Sequence, residues 1–382
     1  MYERESTPFR TVIYRCGTSR GIFLHENGLP QDTRTRDKVI LSIFGSPDPR
    51  QIDGLGGADV LTSKVAIIGP PSIPGADVDY TFGQVDIDTA YIAYSGLCGN
   101  VSSGVAPFAI DEGLVRAVEP VTTVRVHNKN TAQIFTTEVP VRNGKPLVTG
   151  DYVLPGVPGT GAKLTMNMVG TVGSYGKGLL PTGNVIDVFD VPGIGKIEGS
   201  LIDTVNPCLF LRAKDLGFRG DEVKKTDFKE GELEKLEIIR REAAFKAIGK
   251  EYVEKDAVPF IVYVAEPMDY VNHLTKETIK ASNLDFLARA HFVGGIHQTF
   301  SGSLSCCTGA AAVIPGTVVY EIRGARDSME VRLGHPGGII EVEAVCGKDS
   351  AGNPAISHVT YYRTARRIMD GYSYVPNKLF MD

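Results

Sequence analysis

The sequence predicts a mixed α+β protein made of two similar halves, and three observations support this fold class. Short runs rich in Val, Ile and Thr lie between frequent turn residues, among them 43 glycines and 22 prolines, a composition typical of strands joined by tight turns. Each half also holds one apolar, small-residue helical segment that follows a cysteine and a glycine. Strands and helices do not alternate at the spacing of βαβ units, which disfavours a dinucleotide-binding sheet. We therefore expect two α/β halves with a cleft between them.

The length of 382 residues exceeds the size at which one hydrophobic core keeps growing, so two domains are expected. The segment 179–193 is rich in turn residues and is the predicted link. We assign residues 1–184 to an N-terminal domain and residues 185–382 to a C-terminal domain. The last residues of the second domain could pack back on the first.

The hydrophobic pattern predicts the individual elements. In the first half, strands are expected at 9–16, 63–70, 78–86, 121–130, 133–141 and 163–169, with helices near 34–44 and from Cys98 through 113. In the second half, strands are expected at 196–205, 208–213, 260–266, 316–324, 329–338 and 339–347. Helices are expected at 229–249, at 280–292 and within 303–314, and the segment 357–371 is expected to be a strand followed by a helical turn.

Composition and charge exclude several classes of function. The net charge of −5 argues against a protein that binds nucleic acid over its surface. The first residues lack the apolar core of a signal peptide, and no stretch of 18 apolar residues predicts a membrane span. The six cysteines show no CxxC spacing, which disfavours disulfides and a zinc site and favours a cytoplasmic location. No metal or organic cofactor is indicated, and a homodimer would be an ordinary assembly for a protein of this class.

The segment around Cys98 is the first candidate for chemistry. Cys98 lies just before a predicted helix start, where unpaired N–H groups and the helix dipole favour a thiolate. Gly99 lets the backbone approach a ligand closely, and Asn100 adds a hydrogen-bond donor, so an anion could bind here. The alternative is a buried structural cysteine, which is a common role for a free thiol.

Two other glycine-rich turns lie in the first half. Lys64 follows one of them and begins an apolar strand, so partial desolvation would favour its neutral amine and suit it to proton transfer. The alternative is a lysine at a strand end in water. Gly17, Thr18 and Ser19 form the other turn, whose backbone and hydroxyl donors could hold a carboxylate. Neither turn matches a phosphate-binding glycine motif.

The second half contains comparable candidates. His297 could orient or protonate a substrate, and Ser303 lies near another helix start, before Cys306 and Cys307. The two cysteines could repeat the role of Cys98 or be packing residues. His335 lies in a glycine-rich segment that is either an anion-binding turn or an ordinary one, and both interpretations stay open.

Taken in order along the chain, these motifs resemble the methylaconitate isomerase (PrpF-like) family, which has a diaminopimelate epimerase-like fold. The resemblance runs along the whole chain. The segments that carry it include GTSRG (17–21), GGADVLTSKVAII (56–68), CGNVSSGVAPFAIDEGL (98–114), LGHPGG (333–338) and RTARRIMDGYSYVP (363–376).

The resemblance implies two pseudo-symmetric domains, each a curved sheet around a central helix. It also implies a cofactor-independent isomerase that moves a proton on an unsaturated di- or tricarboxylate, such as methylaconitate, aconitate or methylitaconate. Lys64 and Cys98 match the acid/base positions of the family, and the 17–19 turn and Ser303 match its carboxylate-binding turns. Arg20 and Ser303 depart from the usual family residues. The choice of acid therefore stays open, as does the choice between cis–trans isomerisation and double-bond migration.

Two alternatives belong to other classes of function. A two-cysteine amino-acid racemase or epimerase would pair Cys98 with Cys306 or Cys307, but it would leave Lys64 without a role. A non-catalytic carboxylate-binding protein would have kept the scaffold of an enzyme, although it would have no need of Lys64 and Cys98 together.

Overall fold

The computed structural model describes residues 5–94, 96–248, 258–292 and 295–380. The chain forms two compact units. Unit 1 comprises residues 1–166 together with 363–382, and unit 2 comprises residues 167–362. The first change of unit thus falls at 166/167, where the sequence suggested 184/185, and the C-terminal segment belongs to unit 1.

Unit 1 consists of strands with three short or medium helices among its described residues. Its helices are α1 (Thr33–Phe44), α2 (Gly99–Ser102) and α3 (Val105–Asp111). The strands up to the unit boundary are β1 (Ser6–Cys16), β2 (Ser19–His25), β3 (Lys64–Gly69), β4 (Val78–Val85), β5 (Ile92–Ala93), β6 (Val121–Asn128), β7 (Gln133–Arg142), β8 (Lys145–Pro146), β9 (Tyr152–Val153), β10 (Thr160–Gly161) and β11 (Leu164–Asn167).

Unit 2 has a similar content, and the chain then returns to unit 1 as one further strand. The strands of unit 2 are β12 (Asp187–Val191), β13 (Gly195–Thr204), β14 (Asn206–Arg212), β15 (Phe260–Ala265), β16 (Tyr270–Val271), β17 (Thr278–Ile279), β18 (Phe286–Phe292), β19 (Gly295–Ile296), β20 (Glu330–His335), β21 (Gly338–Lys348) and β22 (Pro354–Arg363). Its helices are α4 (Glu232–Ile248), α5 (Gly302–Val313) and α6 (Val318–Arg323), and the returning strand is β23 (Ala365–Pro376). None of the described helices has the length and apolar composition needed to cross a membrane.

The main sheets of the two units have the same succession of strand directions. In unit 1 the order is β23–β1–β2–β3–β4–β6–β7, in which the β2–β3 and β4–β6 neighbours are parallel and the others antiparallel. In unit 2 the order is β12–β13–β14–β15–β18–β20–β21, with β14–β15 and β18–β20 parallel. In each unit a pair of helices, α2–α3 or α5–α6, lies in the second crossover between parallel strands. The two similar halves are therefore confirmed, and β23 supplies in unit 1 the strand that β12 supplies in unit 2.

The helices α2 and α3 pack on one face of the unit 1 sheet. The ring of Phe108 on α3 lies 5.4 Å from the ring of Phe23 on β2, measured between centroids. Residues 98–113 were expected to form one helix, but they form two. Pro107 has no N–H to donate to the carbonyl of Ser103, so the helical hydrogen bonding is interrupted there.

The helix α1 covers the opposite face of the same sheet and confirms the helix expected near 34–44. Asp32 caps its first turn by accepting from the Thr35 N–H at 2.8 Å, and Gly45 ends it in the left-handed conformation. Its apolar side chains share a buried cluster with Val65 and Ile67 of β3. Because side chains alternate along a strand, the even-numbered residues at the start of β3 face α2 and α3.

Three expected elements have a different structure. Residues 280–292 were expected to be helical, yet 286–292 form β18, a buried strand between β15 and β20. Residues 318–323 form the helix α6 instead of a strand, because Thr317 caps the N–H of Tyr320. The helical turn expected before residue 371 is part of β23, which pairs with β1 along eleven register positions. In each case tertiary pairing or a local cap outweighs residue propensity.

The close contact of Gly104 with β1 and β2 yields a prediction for stability. A Cβ at Gly104 would lie 2.4 Å from Cys16 Sγ and 2.8 Å from Phe23 Cζ, both in the core. We expect Gly104→Ala to lower the free energy of unfolding by about 1–3 kcal/mol, as overpacking does elsewhere. Urea unfolding measures the change. Gly28→Ala is the matched control, because a Cβ there has no atom within 4 Å. Equal stability of the two variants would contradict the contact.

Candidate active site

The 17–19 turn is held against the helix α2 by the side chain of Asn100. Its Nδ2 donates to Thr18 Oγ1 at 3.0 Å and to Ser19 Oγ at 3.4 Å. Both hydroxyls therefore accept from Asn100 and keep their own hydrogens to donate. Ser19 and Asn100 are buried, at 4% and 5% exposure, whereas Thr18 is half-buried. This arrangement suits the binding of an anionic oxygen.

Arg363 fixes the orientation of the Asn100 amide. Its Nε donates to Asn100 Oδ1 at 3.1 Å, which leaves Asn100 Nδ2 toward the hydroxyls. Gly17 contributes space rather than a donor, because its N–H bonds to the Thr364 carbonyl at 3.0 Å. A Cβ at Gly17 would lie 2.4 Å from Asn100 Oδ1, and its φ of +53° favours glycine.

Cys98 occupies the N-cap position of α2, as the sequence predicts. Its carbonyl accepts from the N–H of Ser102 at 2.9 Å, while its side chain makes no capping hydrogen bond. The thiol is half-buried. Cys16, the other cysteine near this turn, is fully buried, and burial raises the pKa of its thiol, so it stays protonated. Of the two, Cys98 is the one placed to exchange a proton with a ligand.

Lys64 is the first residue of β3 and is nearly buried, with 8% of its surface exposed. Its Nζ donates to Gln84 Oε1 at 2.9 Å and lies 5.6 Å from the centroid of the Phe82 ring. Among the described residues, no carboxylate lies within 4.0 Å of this Nζ. Lys64 is therefore not the solvated strand-end lysine that was the alternative.

Lys64 and the helix α2 lie on the same face of the unit 1 sheet. Lys64 is the register partner of Gly21 in the parallel β2–β3 pair, and register partners point to the same side. A Cβ at Gly21 would lie 3.5 Å from Val101 Cγ1 of α2. Ser19, which contacts Asn100, is two residues before Gly21 and so lies on that face too. The fold thus places the lysine, the two hydroxyls and the start of α2 at one end of one sheet face.

Unit 2 carries its own polar group at the start of α5. Ser301 is the N-cap of this helix and accepts from the Leu304 N–H at 3.3 Å, and its Oγ lies 3.1 Å from Ser303 Oγ. His297 Nδ1 accepts from the Thr299 N–H at 3.1 Å, so a neutral His297 carries its proton on Nε2. Ser303 and His297 thus remain candidate ligand contacts within unit 2.

The two units differ at the positions that carry Lys64 and Cys98. The first residue of β15, which corresponds to β3, is Phe260, and the N-cap of α5 is Ser301. Cys306 and Cys307 lie inside α5 and are fully buried, and Cys307 Sγ donates to the Ile202 carbonyl at 3.4 Å. This packing role disfavours a two-cysteine racemase or epimerase.

The segment around His335 forms an ordinary hairpin turn. The strand β20 ends at His335, and β21 begins at Gly338. His335 Nδ1 accepts from the Gly337 N–H at 3.1 Å, so this N–H does not serve an anion. Within the described ranges, no group of three or more His, Cys, Asp or Glu side chains is arranged to hold a metal ion.

Two side chains of this site do not stand out in the sequence. Arg363 reaches Asn100 across 263 positions of the chain, and Gln84 reaches Lys64 from the neighbouring strand. Gln84 is a polar residue near the end of the otherwise largely apolar strand β4, and this is the local feature of the sequence that points to it. Arg363 begins one of the segments that resemble the family, but nothing local indicates that it contacts Asn100.

The strand order and this arrangement define a protein of the diaminopimelate epimerase-like fold. A hydroxyproline epimerase from Agrobacterium vitis superposes with a TM-score of 0.56 at 12% identity, covering 99% of this chain and 95% of that chain, which is a likeness of fold. The crystal structure of a methylitaconate-delta-isomerase superposes with a TM-score of 0.85 at 46% identity, covering 98% of this chain and 97% of that chain.

The family model described as PrpF protein matches residues 7–376, so the chain belongs to the PrpF family. It is 48% identical over 371 residues to the 3-methylitaconate isomerase of Eubacterium barkeri, with 95% of this chain and 96% of the relative covered. It is 36% identical over 380 residues to the 2-methyl-aconitate isomerase of Shewanella oneidensis, with 95% of each chain covered. The expected family, fold and isomerase class are confirmed by these matches.

Proposed function

We propose that the protein is a cofactor-independent isomerase that transfers a proton on an unsaturated dicarboxylate, with 3-methylitaconate as the first candidate substrate. The observation that carries the proposal is the placement of Lys64, Thr18, Ser19 and the start of α2 at one end of the same sheet face. The choice of 3-methylitaconate rests on the 48% identity to the relative of that name, against 36% for the methylaconitate relative.

The two hydroxyls of the turn bind a carboxylate of the substrate. Thr18 and Ser19 already accept from Asn100, so their hydrogens point away from it and can donate to an anionic oxygen. Donors held in place before the reaction stabilise the negative charge that develops on that carboxylate when a neighbouring carbon loses its proton. The acid then passes through a dienolate rather than a free carbanion.

Lys64 and Cys98 handle the proton. One of them, as neutral amine or thiolate, removes the proton from the carbon between the methyl group and the double bond. A proton is returned at the terminal methylene, so the double bond moves inward and no atom is gained or lost. Return after rotation within the intermediate would give cis–trans isomerisation in an acid of the methylaconitate type.

We also propose a cytoplasmic location, supported by six free cysteines.

Proton NMR in deuterated water tests the substrate. The purified protein is mixed with 3-methylitaconate, 2-methylaconitate, aconitate and proline in separate samples. We expect deuterium to enter 3-methylitaconate while a new methyl signal grows. Exchange at Cα of proline without change in the unsaturated acids would replace this proposal with the racemase alternative.

Asn100 provides a prediction for substrate binding. In Asn100→Ala the hydroxyls of Thr18 and Ser19 lose the donor that orients them, and Arg363 loses an acceptor. We expect kcat/KM to fall roughly 5- to 150-fold, which corresponds to a loss of about 1–3 kcal/mol in transition-state stabilisation, with much of the change in KM. Steady-state kinetics measure it, and Asn27→Ala, at an exposed position, is the control. An unchanged KM in Asn100→Ala would exclude the turn from substrate binding.

A further inference from the structure

Both polar atoms of the Gln84 side-chain amide, Oε1 and Nε2, are hydrogen-bonded. Its Nε2 donates to the Ser63 carbonyl at 2.9 Å and to the Val60 carbonyl at 3.2 Å. These two acceptors determine which amide atom is oxygen, so Oε1 must face Lys64 Nζ, at 2.9 Å. Gln84 is also the direct register partner of Lys64 in the antiparallel β3–β4 pair. The backbone of the loop before β3 thus fixes the glutamine, and the glutamine fixes the amine.

The chemical nature of this partner matters as much as its position. A buried lysine is ordinarily paired with a carboxylate, which holds it as an ammonium. Here the hydrogen-bond partner is a neutral amide, and the Phe82 ring also lies near the amine. Among the described residues, no acidic side chain lies within salt-bridge distance of Lys64 Nζ. Among the described residues, the amine is thus held by an uncharged acceptor and not by an ion pair.

We propose that Gln84 is the positioning residue for Lys64: it holds the amine toward the α2 face and, being uncharged, leaves it able to exchange a proton. This inference rests on the proposed function. Gln84 acts through Lys64 and does not touch the substrate. Replacing its acceptor oxygen should therefore change the proton-transfer step more than the binding of the acid.

Two substitutions of Gln84 are expected to differ from each other in the pH dependence of kcat. Gln84→Met keeps the length of the side chain but removes the acceptor, so the ammonium form of Lys64 loses a hydrogen bond. Gln84→Glu keeps an acceptor and adds a negative charge that favours the ammonium. Any limb of the kcat profile that depends on Lys64 should lie at lower pH in Gln84→Met than in Gln84→Glu, because only the glutamate supplies a negative charge to the ammonium. This holds whether Lys64 is base or acid.

The experiment measures kcat and KM from pH 5 to 10 for the wild type, both Gln84 variants and Gln31→Met, a matched control at an exposed glutamine. We expect kcat of Gln84→Met, compared with wild type at the pH maximum of each enzyme, to fall at least about tenfold because the amine is no longer held in position, with KM within about threefold of wild type. Thermal melting of each variant checks that it is folded. If Gln84 had a purely structural role, the substitutions would change the stability of the protein but would not separate the kcat–pH profiles of Gln84→Met and Gln84→Glu.

The inference is overturned if Gln84→Met keeps kcat within twofold of wild type, or if neither variant moves the pH profile. These results leave the proposed function intact provided that the wild type turns over the acid and Lys64→Ala does not. If the wild type itself gives no proton exchange with any unsaturated acid, the proposed function fails instead. The two failures are thus distinguished by the wild-type and Lys64→Ala samples in the same series.

Discussion

Lys64→Ala is expected to lower kcat for the proposed isomerisation by roughly 10²–10⁴-fold, the usual range for a general acid–base residue. The reason is that the Lys64 residue is nearly buried, and its Nζ is fixed by Gln84 and has no carboxylate partner among the described residues. Alanine removes the amine to which we assign the proton transfer but leaves the hydroxyls of Thr18 and Ser19 in place. The loss should therefore lie mainly in kcat, and steady-state kinetics measured by NMR will separate it from KM.

Lys64→Arg separates proton transfer from charge. Arginine keeps a positive charge on this face, but its guanidinium does not lose its proton in proteins. We expect Lys64→Arg to be nearly as inactive as Lys64→Ala. Lys235→Ala, at an exposed position of α4, is the control for loss of a lysine as such. Substantial turnover by Lys64→Arg would show that the side chain supplies charge and not a proton.

Cys98→Ser is expected to cause a second large loss, also about 10²–10⁴-fold in kcat. Serine fits the N-cap position well, so the helix start should be preserved. Its hydroxyl is a much weaker acid than a thiol and cannot replace the thiol or thiolate in the proposed proton transfer. The melting temperature should stay close to that of the wild type, which would assign the loss to chemistry rather than to folding.

Cys346→Ser and Cys307→Ser are the comparisons for the cysteine. Cys346 is half-buried on β21, and Cys307 is buried inside α5. We expect both variants to retain turnover per folded molecule, although Cys307→Ser should cost stability because it changes a packed site. If Cys307→Ser lost as much activity as Cys98→Ser while remaining folded, the two-cysteine mechanism would become the better explanation.

Elements with strong local signals could be predicted from the sequence. The helix α1 has an Asp32 cap and a Gly45 end, and α5 has a run of small residues after Ser301. By contrast, β18 is buried on both faces, so its sequence lacks the alternation that identifies a strand. The strand β23 pairs with β1 from the other end of the chain, and no local pattern predicts such a pairing.

The candidate site could be predicted in part for the same reason. Lys64 and Cys98 lie beside glycine-rich turns, which mark places where a backbone can approach a ligand. Gln84 and Arg363 become relevant only through the β3–β4 register and the return of the chain to unit 1. Their contacts depend on tertiary structure, so residue type alone gives little indication of them.

Deuterium incorporation into 3-methylitaconate tests the central claim most directly, because it detects proton transfer itself. The wild type, Lys64→Ala and Cys98→Ser are incubated with the acid in deuterated water, and both exchange and isomerisation are followed by NMR. We predict that the wild type incorporates deuterium as the double bond moves and that both variants lose exchange and isomerisation together. Undiminished exchange in both variants would contradict the assignment of proton transfer to this site of unit 1.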